Sequence, residues 1–170
     1  MTACGNDWEE FGDRCYLWGD KKMSWDDAEA FCRRKGGHLA SVTSEDINAF
    51  VLQEKMLRNL EHLWIGGSDK ENEDSWSWSD GSLWSFTKWF ENQPNNADGN
   101  EDCLQVYPDE KWYDRPCAEN ESFVCSQKLC SGEISVSFIL NLMQIFSLVT
   151  PMKEVMVEIR IARDNYKLRM

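Results

Sequence analysis

The side chains of this 170-residue chain that could do chemistry fall into three sets. The first lies between Ser68 and Asn100, where Asp, Glu, Asn, Gly and Ser dominate and Trp76, Trp78, Trp84 and Trp89 interrupt them. Carboxylates and amides at this density are hard oxygen donors, the kind calcium gathers in numbers of about six to eight. An irregular stretch of this length inside a compact domain is usually functional, the alternative being a solvated acidic loop. The spacing Asp69-x-Glu71-x-Glu73 does not make an EF-hand loop, because Asp74 stands where glycine is needed and Trp76 and Trp78 fall inside. The second set is Cys4, Cys15, Cys32, Cys103, Cys117, Cys125 and Cys130. No Cys-x-x-Cys pair occurs, so the zinc and thioredoxin patterns are absent. Such wide spacing favours disulfides in an oxidising compartment, and an odd count leaves at least one thiol outside any internal framework. The third set is His38 and His62, which precede Leu39-Ala40-Ser41 and Leu63-Trp64 with no Cys or Ser partner in a motif. Hydrolase and zinc chemistry therefore have little support, and an enzyme is the least favoured class.

Composition narrows the classes further. A net charge of −12 argues against nucleic acid, whose phosphates call for a basic surface, and suits cation binding. Hydrophobic residues make up 42%, enough for a sizeable core. The charge is uneven: residues 1–130 hold 13 basic and 26 acidic side chains, and residues 131–170 hold 5 and 4. All nine Trp and all seven Cys lie at or before Cys130. The expectation is a domain over 1–130, with its boundary near 127–131, followed by an extension over 131–170 of different character. Residues 134–152 carry no charge, and 11 of the 17 residues from Ile134 to Thr150 are apolar. That is marginal against the roughly 20 apolar residues a membrane span needs, and Ser135, Ser137, Asn141, Gln144, Ser147 and Thr150 weaken it. If it spans, Lys153, Arg160, Arg163, Lys167 and Arg169 favour a cytoplasmic C-terminus, a type I membrane anchor. The alternative is an extension foreign to the native protein. Met1-Thr2-Ala3-Cys4 has neither a basic start nor an apolar run, so no signal peptide is visible in this chain. The Asn120-Glu121-Ser122 sequon makes Asn120 a glycosylation candidate and agrees with a secreted or extracellular location.

The elements that must position these groups read as mixed α+β. Tyr16 opens a strand-like stretch. Ser24, with Asp27 as a shortened capping box, starts a helix carrying Trp25, Ala28, Phe31 and Cys32 on one face, and Gly36-Gly37 ends it. His38 to Val42 reads as a short buried strand. Thr43-x-x-Asp46 caps a second helix whose apolar face is Ile47, Phe50, Val51 and Leu57. Leu63 to Gly67 is an apolar strand, and strands resume at Cys103–Tyr107, near Lys111–Tyr113 and at Ser122–Cys125. Trp25, Trp64, Trp78 and Trp112 are expected in the core, with Trp84 and Trp89 packing beside the loop.

Seven motifs then occur in order: Trp25-x-x-Ala28-x-x-x-Cys32, Gly37-His38-Leu39-Ala40-Ser41, Trp64-Ile65-Gly66-Gly67, Trp78-Ser79-Asp80-Gly81, Gln93-Pro94-Asn95, Glu101-Asp102-Cys103 and Trp112-Tyr113-Asp114-x-x-Cys117. Over residues 4–127 the chain resembles a C-type lectin-like domain of the long form, similar to small secreted fish and venom lectins. The resemblance implies two helices flanking short antiparallel strands, a long calcium- and ligand-binding loop region, and disulfides Cys4–Cys15, Cys32–Cys125 and Cys103–Cys117. Sequence alone leaves 15 pairings open for six cysteines. Cys130 is left over, either as a free thiol or as the link of a disulfide-bonded dimer.

The same resemblance implies a principal calcium and sugar site at Gln93, Asn95, Glu101 and Asp114, with the bond before Pro94 cis. It implies an auxiliary calcium site at Asp69, Glu73, Asn96 and Asp102, with Glu101 contributing. Sugar would bind through two vicinal hydroxyls on the principal ion. Two departures weaken that site. Tyr113 replaces an amide that would ligate calcium and donate to the sugar. Gln93-Pro94-Asn95 lies between the Glu-Pro-Asn triplet that goes with mannose-type sugars and the Gln-Pro-Asp triplet that goes with galactose-type. The expectation is a lectin for glycans or glycoproteins with one or two calcium ions. The rivals are a calcium-independent protein-binding domain and an ice-binding protein on the same scaffold.

Overall fold

The computed structural model describes residues 4–129. Cys130, the extension over 131–170 and the candidate span over 134–152 lie outside the described residues. Helix α1 runs Trp25–Arg34. The Ser24 Oγ accepts the Asp27 N–H at 3.2 Å and its hydroxyl donates to the Asp27 carboxylate at 2.8 Å. Asp26 and Asp27 in the first turn, with Arg33 and Arg34 in the last, oppose the helix dipole at both ends. Gly36 adopts φ 90°, which returns the Gly37 N–H to the Cys32 carbonyl at 3.0 Å and stops the helix. Trp25, Ala28 and Cys32 are the buried face.

Helix α2 runs Glu45–Leu57 and is capped by Ser44, not Thr43, with the Ser44 Oγ accepting the Ile47 N–H at 3.3 Å. The core takes Ile47, Phe50, Val51 and Leu52 from this helix and nothing beyond Leu52 until Leu60. Leu57, expected on the buried face, is the last helical residue and is 64% exposed.

Among the described residues eight strands accompany these helices: β1 Glu9–Phe11, β2 Arg14–Trp18, β3 His38–Leu39, β4 Leu63–Ser68, β5 Ser77–Trp78, β6 Cys103–Val106, β7 Trp112–Arg115 and β8 Ser122–Lys128. Their order is β1-β2-β8-β4-β6-β7, with β3 beside β8 and β5 beside β4. The sheet is mixed, because β8 pairs antiparallel with β2 and parallel with β4. An all-antiparallel arrangement fails here since the last strand inserts between the N-terminal hairpin and β4. The expected strand over 38–42 is only two residues long. Ala40 leaves the ladder to bond Val124 and Gly66, although Leu39 to Val42 stay buried.

Two packed clusters fill the interior, one around Val51, Ile65, Trp78, Leu104 and Trp112, the other around Trp25, Cys32, Trp64, Phe123 and Cys125. Trp25 donates its indole N–H to the Ile65 carbonyl at 2.9 Å, joining α1 to β4. The glycine of Trp-Ile-Gly-Gly is needed for close approach: a Cβ on Gly66 would stand 2.5 Å from the Leu39 carbonyl oxygen. Three disulfides close, Cys4–Cys15, Cys32–Cys125 and Cys103–Cys117, the pairs the resemblance implies. In the chain-entropy view the short Cys103–Cys117 loop is worth about 3 kcal/mol, and Cys32–Cys125 more.

Candidate functional site

The segment after β4 has little regular structure, and aromatic rings hold it in place. Trp78 lies 4.6 Å from Trp84 and 5.8 Å from Trp112, and Trp76 lies 4.8 Å from Trp89. Phe86 and Trp89 pack edge-on against Trp112. The loop tryptophans thus serve packing, with Trp78 and Trp112 buried and Trp76, Trp84 and Trp89 partly so. A rigid aromatic platform of this kind lets a polar loop keep one shape without backbone ladders.

On that platform, carboxylates close the loop. The Gln93–Pro94 peptide is cis. Asp114, on β7, is 1% exposed, and its Oδ2 accepts the N–H groups of Asn95 at 2.8 Å and Asn96 at 2.6 Å. Asn96 has φ 41°, which starts a short 3-10 turn over Ala97–Gly99. The Glu101 Oε2 accepts the Ala97 N–H at 3.1 Å, and the Asn96 Oδ1 accepts the Glu101 N–H at 3.1 Å. Burial raises the Glu101 carboxyl above its usual range. These bonds bring Asn95, Asn96, Glu101 and Asp114 together, with Gln93 two residues upstream.

Asp69, just past β4, anchors the neighbouring part of the loop. Its N–H donates to the Asp102 carbonyl at 3.2 Å and its Oδ2 accepts the Asp74 N–H at 3.0 Å. The side chain is buried. Desolvation, with the charges of Glu73 and Asp102, pushes its carboxyl up to about 6. The auxiliary residues Asp69, Glu73 and Asp102 therefore share one electrostatic neighbourhood, with Glu73 exposed at its edge.

Buried acceptors test whether this loop fits a cation. The Asp114 Oδ1, the Gln93 Oε1 and the Asp69 Oδ1 are buried and receive no hydrogen bond from the protein. Lone acceptors of this kind suit a cation or ordered water. Among the described residues, no group of three or more His, Cys, Asp or Glu side chains is placed to hold a metal. A cation here must therefore draw on amide and backbone oxygens too, which is how calcium sites are commonly completed.

Tyr113 points its chemistry elsewhere. The phenol donates to Asp109 at 2.7 Å and the ring stacks on Tyr107 at 4.1 Å and Phe90 at 5.2 Å. Tyr107 in turn stacks on His62 at 4.4 Å. His38 pairs with Glu29 at 2.6 Å, so both histidines have structural partners. Asn120 is exposed, so the sequon is accessible.

Two residues that sequence reasoning did not single out shape this region. Arg115 joins Glu101 to Glu119. Arg14 pairs with Asp80 at 2.9 Å, fixing the Trp78-Ser79-Asp80-Gly81 turn to β2. Asp80 lies 66 residues from Arg14 and Glu101 lies 14 from Arg115, so no local signal marks those pairs; only Glu119, four residues on from Arg115, is a near neighbour. Among the described residues no helix is long and apolar enough to cross a membrane.

Comparison with known proteins agrees with this architecture. The model of the lectin C-type domain matches residues 21–127. The chain is 34% identical over 131 residues to the galactose-specific lectin nattectin of Thalassophryne nattereri, covering 75% of this chain and 82% of that protein. It is 35% identical over 136 residues to human C-type mannose receptor 2, covering 79% of this chain but only 9% of the receptor's length. The C-type lectin CEL-I from Cucumaria echinata superposes with a TM-score of 0.71 at 31% identity, covering 74% of this chain and 98% of that one. A calcium-independent type II antifreeze protein superposes with a TM-score of 0.67 at 32% identity, covering 74% and 94%. With the α+β scaffold, its three disulfides and the matched segment together, the chain belongs to the C-type lectin domain family, whose members bind and do not catalyse.

Proposed function

We propose that this chain is an extracellular carbohydrate-binding lectin that takes vicinal sugar hydroxyls at the Gln93–Asp114 site with the help of calcium. The observation that carries the reading is the set of buried, unpartnered acceptors, Gln93 Oε1 and Asp114 Oδ1, beside a loop shaped by Asn95, Asn96 and Glu101. Gln93, Asn95, Glu101 and Asp114 would hold the principal ion, and Asp69, Glu73, Asn96 and Asp102 the auxiliary one. Bound calcium supplies open coordination positions for two adjacent sugar oxygens. The chain's own contribution is orientation: Asp114 fixes the Asn95 and Asn96 backbone, leaving the Asn95 side-chain amide as donor and acceptor for sugar hydroxyls. Three disulfides support the extracellular location.

The nearness of a galactose-specific lectin among the relatives supports a sugar ligand, and Gln93 shares the amide of the galactose-type triplet. The test is a glycan array with and without a chelator. Sugar binding that disappears with chelator is expected. Binding that is absent in both buffers sinks the lectin reading. A second reading, a calcium-independent domain for protein or ice, is favoured by loop closure through the protein's own hydrogen bonds and by the likeness to a calcium-independent antifreeze protein. Chelator-insensitive binding, or thermal hysteresis, would select it.

A further inference from the structure

Strand β7 alternates, so that Trp112 and Asp114 are buried while Tyr113 and Arg115 lie on its more open side. The Arg115 Nη1 donates to Glu101 Oε1 at 3.2 Å. Its Nη2 and Nε donate to the two oxygens of Glu119 at 2.6 and 3.3 Å, a fork that fixes the guanidinium in place. Glu101 is almost wholly buried, its side chain 7% exposed, and its other oxygen is taken by the Ala97 N–H. The one guanidinium serves two carboxylates, so the charge of the carboxylate expected to serve calcium is offset in part from within the chain.

We infer that Arg115 is a built-in counter-ion for Glu101, which lowers the loop's affinity for calcium. The inference rests on the reading above in taking Glu101 as a calcium ligand. A divalent ion at Glu101 meets like charge from a guanidinium bonded to the same carboxylate, and binding must weaken that bond or tolerate the repulsion. Arginine does not lose its proton at any working pH, so this competition is permanent. The pair is one-third exposed on the arginine side, so the effect is graded by solvent and salt and does not abolish binding. Loop shape has a separate source in Asp114, whose Oδ2 holds the Asn95 and Asn96 amides without involving Arg115.

Calorimetric calcium titration of the wild type, Arg115→Gln and Arg115→Lys tests this, with thermal unfolding in calcium-free buffer to show that each chain is folded. Arg115→Gln should bind calcium on the order of ten-fold more tightly, scaled from a partly screened unit charge in contact with the site. Its melting temperature should rise more steeply with calcium than that of the wild type. Arg115→Lys keeps the charge and should stay close to the wild-type affinity. Equal affinities for wild type and Arg115→Gln overturn the inference, and so does a gain in Arg115→Lys as large as that in Arg115→Gln. The glycan array on the wild type reads the lectin function independently: sugar binding with no effect of Arg115→Gln on calcium would remove the counter-ion role alone.

Discussion

Replacing Tyr113 with asparagine should trade stability for ligand affinity, and the structure gives both sides of the exchange. In the protein the Tyr113 ring lies between Tyr107 and Phe90, and its hydroxyl donates to Asp109. Each aromatic contact is worth about 0.5–1.5 kcal/mol and the hydrogen bond about 1 kcal/mol, with the low end apt for a half-exposed site. Without calcium, Tyr113→Asn should therefore cost about 2 kcal/mol and lower Tm by about 6 °C for a domain of this size. On the proposed calcium reading, the amide, freed from that stack, would also return an oxygen ligand and a donor beside Asp114. Extracellular calcium modules bind at about 10⁻⁴–10⁻³ M, and on that reading the wild type is expected at the weak end. At 10 mM calcium, a Kd near 1 mM adds about 1.4 kcal/mol of stability and a Kd near 0.1 mM about 2.7 kcal/mol. The variant should thus recover more of its loss on adding calcium than the wild type gains. Differential scanning calorimetry at several calcium concentrations, with direct titration, measures both effects. A variant as stable as the wild type without calcium would refute the ring stack. A variant with no larger calcium response would refute the placing of position 113 at the metal.

Three other changes probe separate parts of the argument. Asp69→Asn removes a buried carboxylate that its surroundings disfavour as an anion, so the calcium-free protein should gain on the order of 1 kcal/mol at pH 7 while its calcium-induced rise in Tm shrinks; chemical denaturation with and without calcium reads both. Burial pushes Asp80 up, but Ser41, the amide and hydroxyl of Ser82, and Arg14 outweigh it and hold the carboxyl at about 2. A depressed folded value means that its contribution, about 2 kcal/mol, is present above pH 4 and is lost as pH falls toward 2, a loss that Asp80→Asn should erase from the acid-denaturation profile. A chain ending at Lys128 should unfold as cooperatively as the full chain, because both aromatic clusters lie before that residue; failure to fold would assign residues beyond 128 to the domain.

Local pattern determined much of this protein. The helix starting at Ser24, the glycine stop at Gly36-Gly37, the apolar strand at Leu63 and the strand positions from Cys103 onward all follow from short-range rules of capping, turns and side-chain period. Small misplacements were also local in origin. Thr43 and Ser44 are both competent caps, and the protein uses Ser44, whose Oγ accepts the Ile47 N–H. Leu57 looks buried by period but lies beyond the reach of the core. The ordered motifs identified the family, and with it the disulfide pairs, which spacing alone left open. What only the tertiary structure decided is partnership across distance. β8 runs parallel to β4 because of where the chain returns, not because of anything in its seven residues. Arg115 could have faced water; the pairing of β7 with β6 sets it opposite Cys103, two residues from Glu101, and Glu119 completes the fork. Tyr113 could have faced the loop, but Tyr107, Phe90 and Asp109 hold it elsewhere. The physical reason is the same in each case: caps and turns are settled by a few neighbouring residues, whereas the partner of a charge or a ring is fixed only when strands distant in sequence are set side by side.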